Sequence, residues 1–120
     1  MEEKLQYLRD NGVEVDNAIV NMVDVDTYNE LLDDFFDSID EELQNIDNYK
    51  NAGDMPNYAI LVHAMKSNSR SFGFMETGEI CYNHEMASKA NDINFVNEHY
   101  NELLESINKM KNIISSYKSM

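Results

Sequence analysis

Residues 92–117 read DINFVNEHYNELLESINKMKNIISSY, with Ile93, Val96, Tyr100, Leu103, Ile107, Met110, Ile114 and Tyr117 spaced in alternating steps of three and four. That spacing puts all of them on one face of a long amphipathic helix. Asp92, just ahead of the series, can cap it. The same rhythm runs upstream through Tyr28, Leu32, Phe35, Ile39, Leu43, Ile46 and Tyr49, with Asp24 as N-cap and an end near Ala52-Gly53.

Two shorter helices fit between these. One runs from an Asp54 cap, with Pro56 tolerated in its first turn, to about Phe72; the other spans roughly Phe74 to Ala90, and Gly73 marks the corner. Ahead of them lie a short helix ending at Asn11-Gly12 and another around Asp16 to Val23. Four amphipathic helices with short connections predict an all-α fold, an antiparallel up-down four-helix bundle. Residues 24–118 form the bundle in this reading and residues 1–23 supply short covering helices, within one domain of residues 1–120.

Composition agrees. Hydrophobic residues make up 42% of 120, enough for one core, while four glycines and one proline leave little material for loops. A formal charge of −14 disfavours nucleic acid and anionic membranes as partners, because both need a basic face. No apolar run reaches the roughly 18–20 residues of a membrane span, and the charged stretch Met1–Asp10 is unlike a signal peptide. The lone Cys81 cannot form an internal disulfide, so a reducing cytoplasm is expected.

On a helical wheel, Tyr58, Leu61, Val62, Met65, Ser69 and Phe72 form the core side of the 54–72 helix, and His63 lies roughly 160° from Met65. Beside His63 on the outer face stand Ala59, Ile60, Lys66, Ser67 and Arg70. No Asp or Glu occurs from Tyr58 to Phe74. An accessible imidazole among small and cationic neighbours suits close approach by another protein and by a phosphoryl group. The wheel alone is equally compatible with an ordinary solvated histidine.

The run His63-Ala64-Met65-Lys66-Ser67-Asn68-Ser69, followed by Phe72-Gly73-Phe74, resembles the core motif of histidine-containing phosphotransfer (HPt) domains of phosphorelays and chemotaxis kinases. Ile80-Cys81 and His84-Glu85 fit that family's second helix, where a Glu or Gln follows the histidine by about twenty-two positions. Ser67 departs from the family's usual glycine, and His84 from its usual leucine. The resemblance implies a phosphocarrier rather than an enzyme, with His63 phosphorylated by a response-regulator receiver domain or a histidine kinase. It implies no cofactor in this chain, since Mg²⁺ is expected in the partner.

Under that resemblance Glu85 is the candidate acceptor for one His63 nitrogen, which would fix the tautomer; a solvated surface carboxylate is the alternative. Lys66 and Ser67, then Arg70 and Lys89, are candidates for stabilising or orienting the phosphoryl group. Ile60, Ala64, Tyr82 and Met86 are candidates for docking, with the N-terminal helices expected to cover part of the Met75–Tyr82–Met86 strip. A monomer is expected. His84 and Cys81 fall on the core side of their helix and read as structural.

Two other classes compete. A di-metal bundle needs Glu-x-x-His pairs, and neither His63, His84 nor His99 has a Glu three residues before it. A helical adaptor that binds a signalling partner without phosphorylation would share the fold.

Overall fold

The computed structural model describes residues 2–120; Met1, assigned above to the covering segment, lies outside them. Six helices and no strand occur among the described residues: α1 (Glu2–Asp10), α2 (Val15–Asn21), α3 (Val25–Asn51), α4 (Met55–Ser71), α5 (Met75–Lys89) and α6 (Ile93–Lys118). Three start on the aspartates read as caps. Asp24 accepts from the Thr27 N–H at 2.8 Å, Asp54 from Asn57 at 3.3 Å and Asp92 from Phe95 at 3.1 Å.

The two long helices set the shape, since 26 residues span about 39 Å of axis and the molecule measures 44 × 23 × 22 Å. α3 packs on α4, α4 on α5, α5 on α6 and α6 back on α3, which closes a ring around one core. Leu32, Ile39, Ile46, Val62, Met65, Leu103 and Ile107 fill it with no exposed surface. Each such side chain removed from water contributes about 1.5–3 kcal/mol. α1 lies on α6 and α2 on α3, burying Leu5, Leu8, Val13, Val15 and Ala18. No described helix is long and apolar enough to cross a membrane.

The wheel errs at a few positions. Ala59, counted on the outer face, is buried, while Leu61, counted on the core side, packs against the core but is only partly buried. α4 lies most closely against α5, so its covered arc is rotated toward that helix and takes in Ala59. Ile93 is exposed, and Ile113, outside the predicted stripe, is buried.

The corner between α4 and α5 requires its glycine twice over. Gly73 sits at φ +96, and a Cβ there would meet the backbone of Glu14 at 2.8 Å. Its carbonyl accepts the Glu14 N–H at 2.9 Å, which ties the α1–α2 connection to the corner. Beside it, Tyr28 donates from its hydroxyl to the Phe72 carbonyl at 2.9 Å, and the Phe35 and Phe72 rings stack at 5.2 Å. The start of α3, the end of α4 and the covering segment are thereby held together.

Candidate functional site

His63 stands on the outer side of α4 with its side chain 56% exposed. Its Nδ1 lies 2.7 Å from Oε2 of Glu85 on α5, whose own side chain is only 3% exposed. Oε1 of Glu85 accepts from Lys66 Nζ at 2.6 Å, and Oε2 also pairs with Lys89 Nζ at 2.8 Å. Glu85 is therefore not the solvated surface carboxylate weighed above. Burial by itself would raise its pKa, but the hydrogen bonds from Lys66, Lys89 and His63 outweigh that cost and hold it at about 2.

An ionised carboxylate can only accept, so in neutral His63 the proton sits on Nδ1 and Nε2 keeps its lone pair. Nε2 makes no hydrogen bond among the described residues. Helix geometry explains the arrangement: Lys66 is one turn beyond His63 on α4, and Lys89 one turn beyond Glu85 on α5. Both ammonium groups consequently converge on the carboxylate, Lys66 at Oε1 and Lys89 at Oε2 alongside His63.

Pro56, Ala59 and Ile60 of α4 and Ser88 of α5 complete a shallow groove around His63, Glu85 and Lys89. Ser88 turns its hydroxyl inward to the carbonyls of His84 and Glu85, at 2.8 and 2.9 Å. Pro56 and Ala59 have no place among the predicted site residues, although the wheel sets Ala59 beside His63. The seven-residue spacing of Pro56 from His63 could have marked it as part of the same helix face.

Of the other predicted residues, Ser67 is exposed one turn past His63, and its carbonyl accepts the Ser71 hydroxyl at 2.8 Å. Ala64 is half-buried, while Ile60, Tyr82 and Met86 remain exposed. Arg70 is not brought to Glu85. It lies two turns along α4, 3.5 Å from Glu79, with its guanidinium carbon 5.8 Å from the centroid of the Tyr82 ring. Lys66 reaches the same ring at 5.5 Å. Gly78 makes this possible, because a Cβ there would stand 2.6 Å from Cγ of Arg70.

The remaining histidines are tied up elsewhere. His84 is fully buried, with Nε2 3.0 Å from the His99 carbonyl and Nδ1 2.9 Å from the Tyr58 hydroxyl. A carbonyl only accepts, so Nε2 carries the proton and Tyr58 donates to Nδ1. Burial pushes the His84 pKa below the usual histidine value, against the opposing pull of the His99 carbonyl. His99 packs on Phe95 with ring centroids 4.3 Å apart. Cys81 is buried, and burial pushes its thiol up to about 12, far from a reactive thiolate. Among the described residues no group of three His, Cys, Asp or Glu side chains is placed to hold a metal.

Comparison with known proteins adds one finding. A family model described as Hpt domain matches residues 30–113, which takes in all of α4 and α5 and most of α3 and α6. No curated protein and no solved structure matches the chain.

Proposed function

This chain belongs to the Hpt domain family, whose members carry phosphoryl groups in two-component signalling, and on that premise we propose that it is a histidine phosphocarrier with Nε2 of His63 as the phosphorylated atom. The observation that carries this reading is the 2.7 Å contact between Nδ1 of the exposed His63 and the buried carboxylate of Glu85. It supplies the one thing a carrier histidine needs, a nucleophilic nitrogen aimed outward in a fixed tautomer.

The step balances without moving a proton. The Nε2 lone pair attacks the phosphorus of a receiver's aspartyl phosphate, an N–P bond forms, and the P–O bond to the aspartate breaks with its electron pair leaving on the carboxylate. The imidazole keeps its Nδ1 proton and becomes formally cationic, a charge that the Glu85 carboxylate beneath it offsets. Attack by another receiver aspartate reverses the process. Mg²⁺ belongs to the receiver or kinase in this reading, and this chain holds no cofactor of its own.

Lys66 and Lys89 are the cations within reach of the transferred group, since both share the Glu85 carboxylate with His63. Ser67 leaves space beside the ring. Ile60, Ala64, Tyr82 and Met86 form the docking surface. The remaining assignments go with the same reading: α3–α6 as an antiparallel up-down bundle within one domain, a monomeric cytoplasmic protein, and no nucleic-acid or membrane partner.

Incubation with a phosphorylated receiver or a histidine kinase tests the proposal. Acid-labile, base-stable phosphate should appear on the chain and vanish in His63→Gln. Acid-stable phosphate, or label that persists in His63→Gln, would overturn it. Intact signalling by His63→Gln without label would favour the non-phosphorylated adaptor.

A further inference from the structure

Five of the nine large apolar side chains that stay exposed among the described residues occur along or at the ends of one seam: Ile60, Met86, Tyr82, Met75 and Val20. The first four belong to α4 and α5. Val20 belongs to α2, which lies outside the span matched by the family model. A groove runs between α2 and the α4–α5 corner, lined by Asn17, Val20, Arg70, Gly73 and Met75. Arg70 joins the two regions, because it lines this groove and also lies over the Tyr82 ring.

We infer that the docking surface for the phosphorylated receiver does not end around His63 but continues down the α4–α5 seam to α2, with Val20, Met75 and Arg70 as its far edge. The inference rests on the phosphocarrier reading above.

Size is the first argument. One side of a standard protein interface covers about 800 Å², a disc of roughly 16 Å radius. Along α4, Arg70 lies about 10 Å and the Gly73 corner about 15 Å from His63 at 1.5 Å per residue. A footprint centred on His63 and leaning along the seam therefore reaches the α2 groove.

Charge is the second. This chain has a formal charge of −14, yet Lys66, Arg70 and Lys89 all lie along this seam, and the carboxylate between the two lysines, Glu85, is buried beneath them. An aspartyl phosphate and the acidic pocket around it would find three of the chain's nine Lys and Arg side chains here, Lys66 and Arg70 on a stretch of α4 that carries no carboxylate. Tyr82 between Lys66 and Arg70, bordered by methionines, has the aromatic and adaptable character of an interface centre.

The test separates docking from chemistry. Each receiver domain of the parent cell, phosphorylated with acetyl phosphate, serves as donor, and phosphoramidate serves as a small donor that needs no docking surface. Val20→Asp and Met75→Asp should each raise the receiver concentration needed for half-maximal transfer by roughly tenfold. Labelling by phosphoramidate and the helical circular dichroism should be unchanged in both. Leu31→Asp, on an exposed position of α3 that borders a separate groove, should leave receiver transfer as it was. Unchanged half-saturation in Val20→Asp and Met75→Asp, with His63 still labelled, would overturn the extended surface and leave the carrier reading standing. Failure of His63 to take label from phosphoramidate or any receiver would overturn both.

Discussion

Glu85, buried between α4 and α5, holds Nδ1 of the half-exposed His63 at 2.7 Å while pairing with a lysine from each helix. A single carboxylate thus fixes the imidazole and gathers the cations around it. In solution neutral His63 should be almost wholly the Nδ1–H tautomer. Long-range ¹H–¹⁵N correlation of the ring reads this directly, and a majority Nε2–H form would contradict the site as described.

Replacement of Glu85 separates its two roles. Glu85→Gln keeps an acceptor for Nδ1 and loses the charge, so phosphoramidate labelling should slow without stopping. Glu85→Ala leaves three donors without their acceptor, including the largely buried Lys66. Loss of such charge-assisted bonds costs about 1–3 kcal/mol, which chemical denaturation should register together with a steeper fall in labelling. Equal labelling by both variants and the native chain would remove Glu85 from the site.

Acid should destabilise the fold in two stages, and the signs follow from which state binds the proton. His84 is held neutral by burial, so its folded pKa lies below 6.5. Below that value the unfolded chain takes up a proton that the folded chain resists, and stability falls with pH. Glu85 has a folded pKa of about 2 against an ordinary 4.5. Its contribution is complete above pH 4.5 and drains away toward pH 2. Denaturant midpoints at a series of pH values should decline from near pH 6.5 downward, and the lower stage should shrink in Glu85→Gln.

Tyr58→Phe removes the donor to Nδ1 of the buried His84. An unsatisfied buried acceptor costs about 1–3 kcal/mol, so the variant should unfold at lower denaturant. His63 labelling should be unaffected, because His84 is a structural residue of the core. Loss of labelling at unchanged stability would point to a role for the Tyr58–His84 pair in the chemistry.

Gly73→Ala should destabilise by about 2 kcal/mol or more, since an L-residue at φ +96 is strained and its Cβ meets the Glu14 backbone. The Glu14 amide, bonded to the Gly73 carbonyl, should exchange with solvent faster than in the native chain. Protection retained at Glu14 would mean that the corner adjusts without releasing the covering segment.

Helix positions and the outward direction of His63 were legible in the sequence because they depend on local rules. An aspartate caps whichever turn follows it, and 3.6-residue periodicity sorts one helix into faces without reference to its neighbours. Hence Asp24, Asp54 and Asp92 marked three starts, and the wheel set His63 opposite Met65. Ala59 was misassigned for the complementary reason. How far a buried arc extends depends on which neighbour presses closest, and here that neighbour is α5.

The environment of His63 was decided only by the tertiary structure. Its contact with Glu85 joins residues twenty-two apart on two helices, and no spacing within either helix says whether that carboxylate faces water or the seam. Burial and the converging lysines turn Glu85 from an ordinary surface acid into a buried anchor, and the missing Cβ of Gly78 lays Arg70 across α5 toward Tyr82 instead of toward Glu85. The sequence determined that a histidine is presented, because presentation is a property of one helix. What holds it, and what flanks it, are properties of the packing between two.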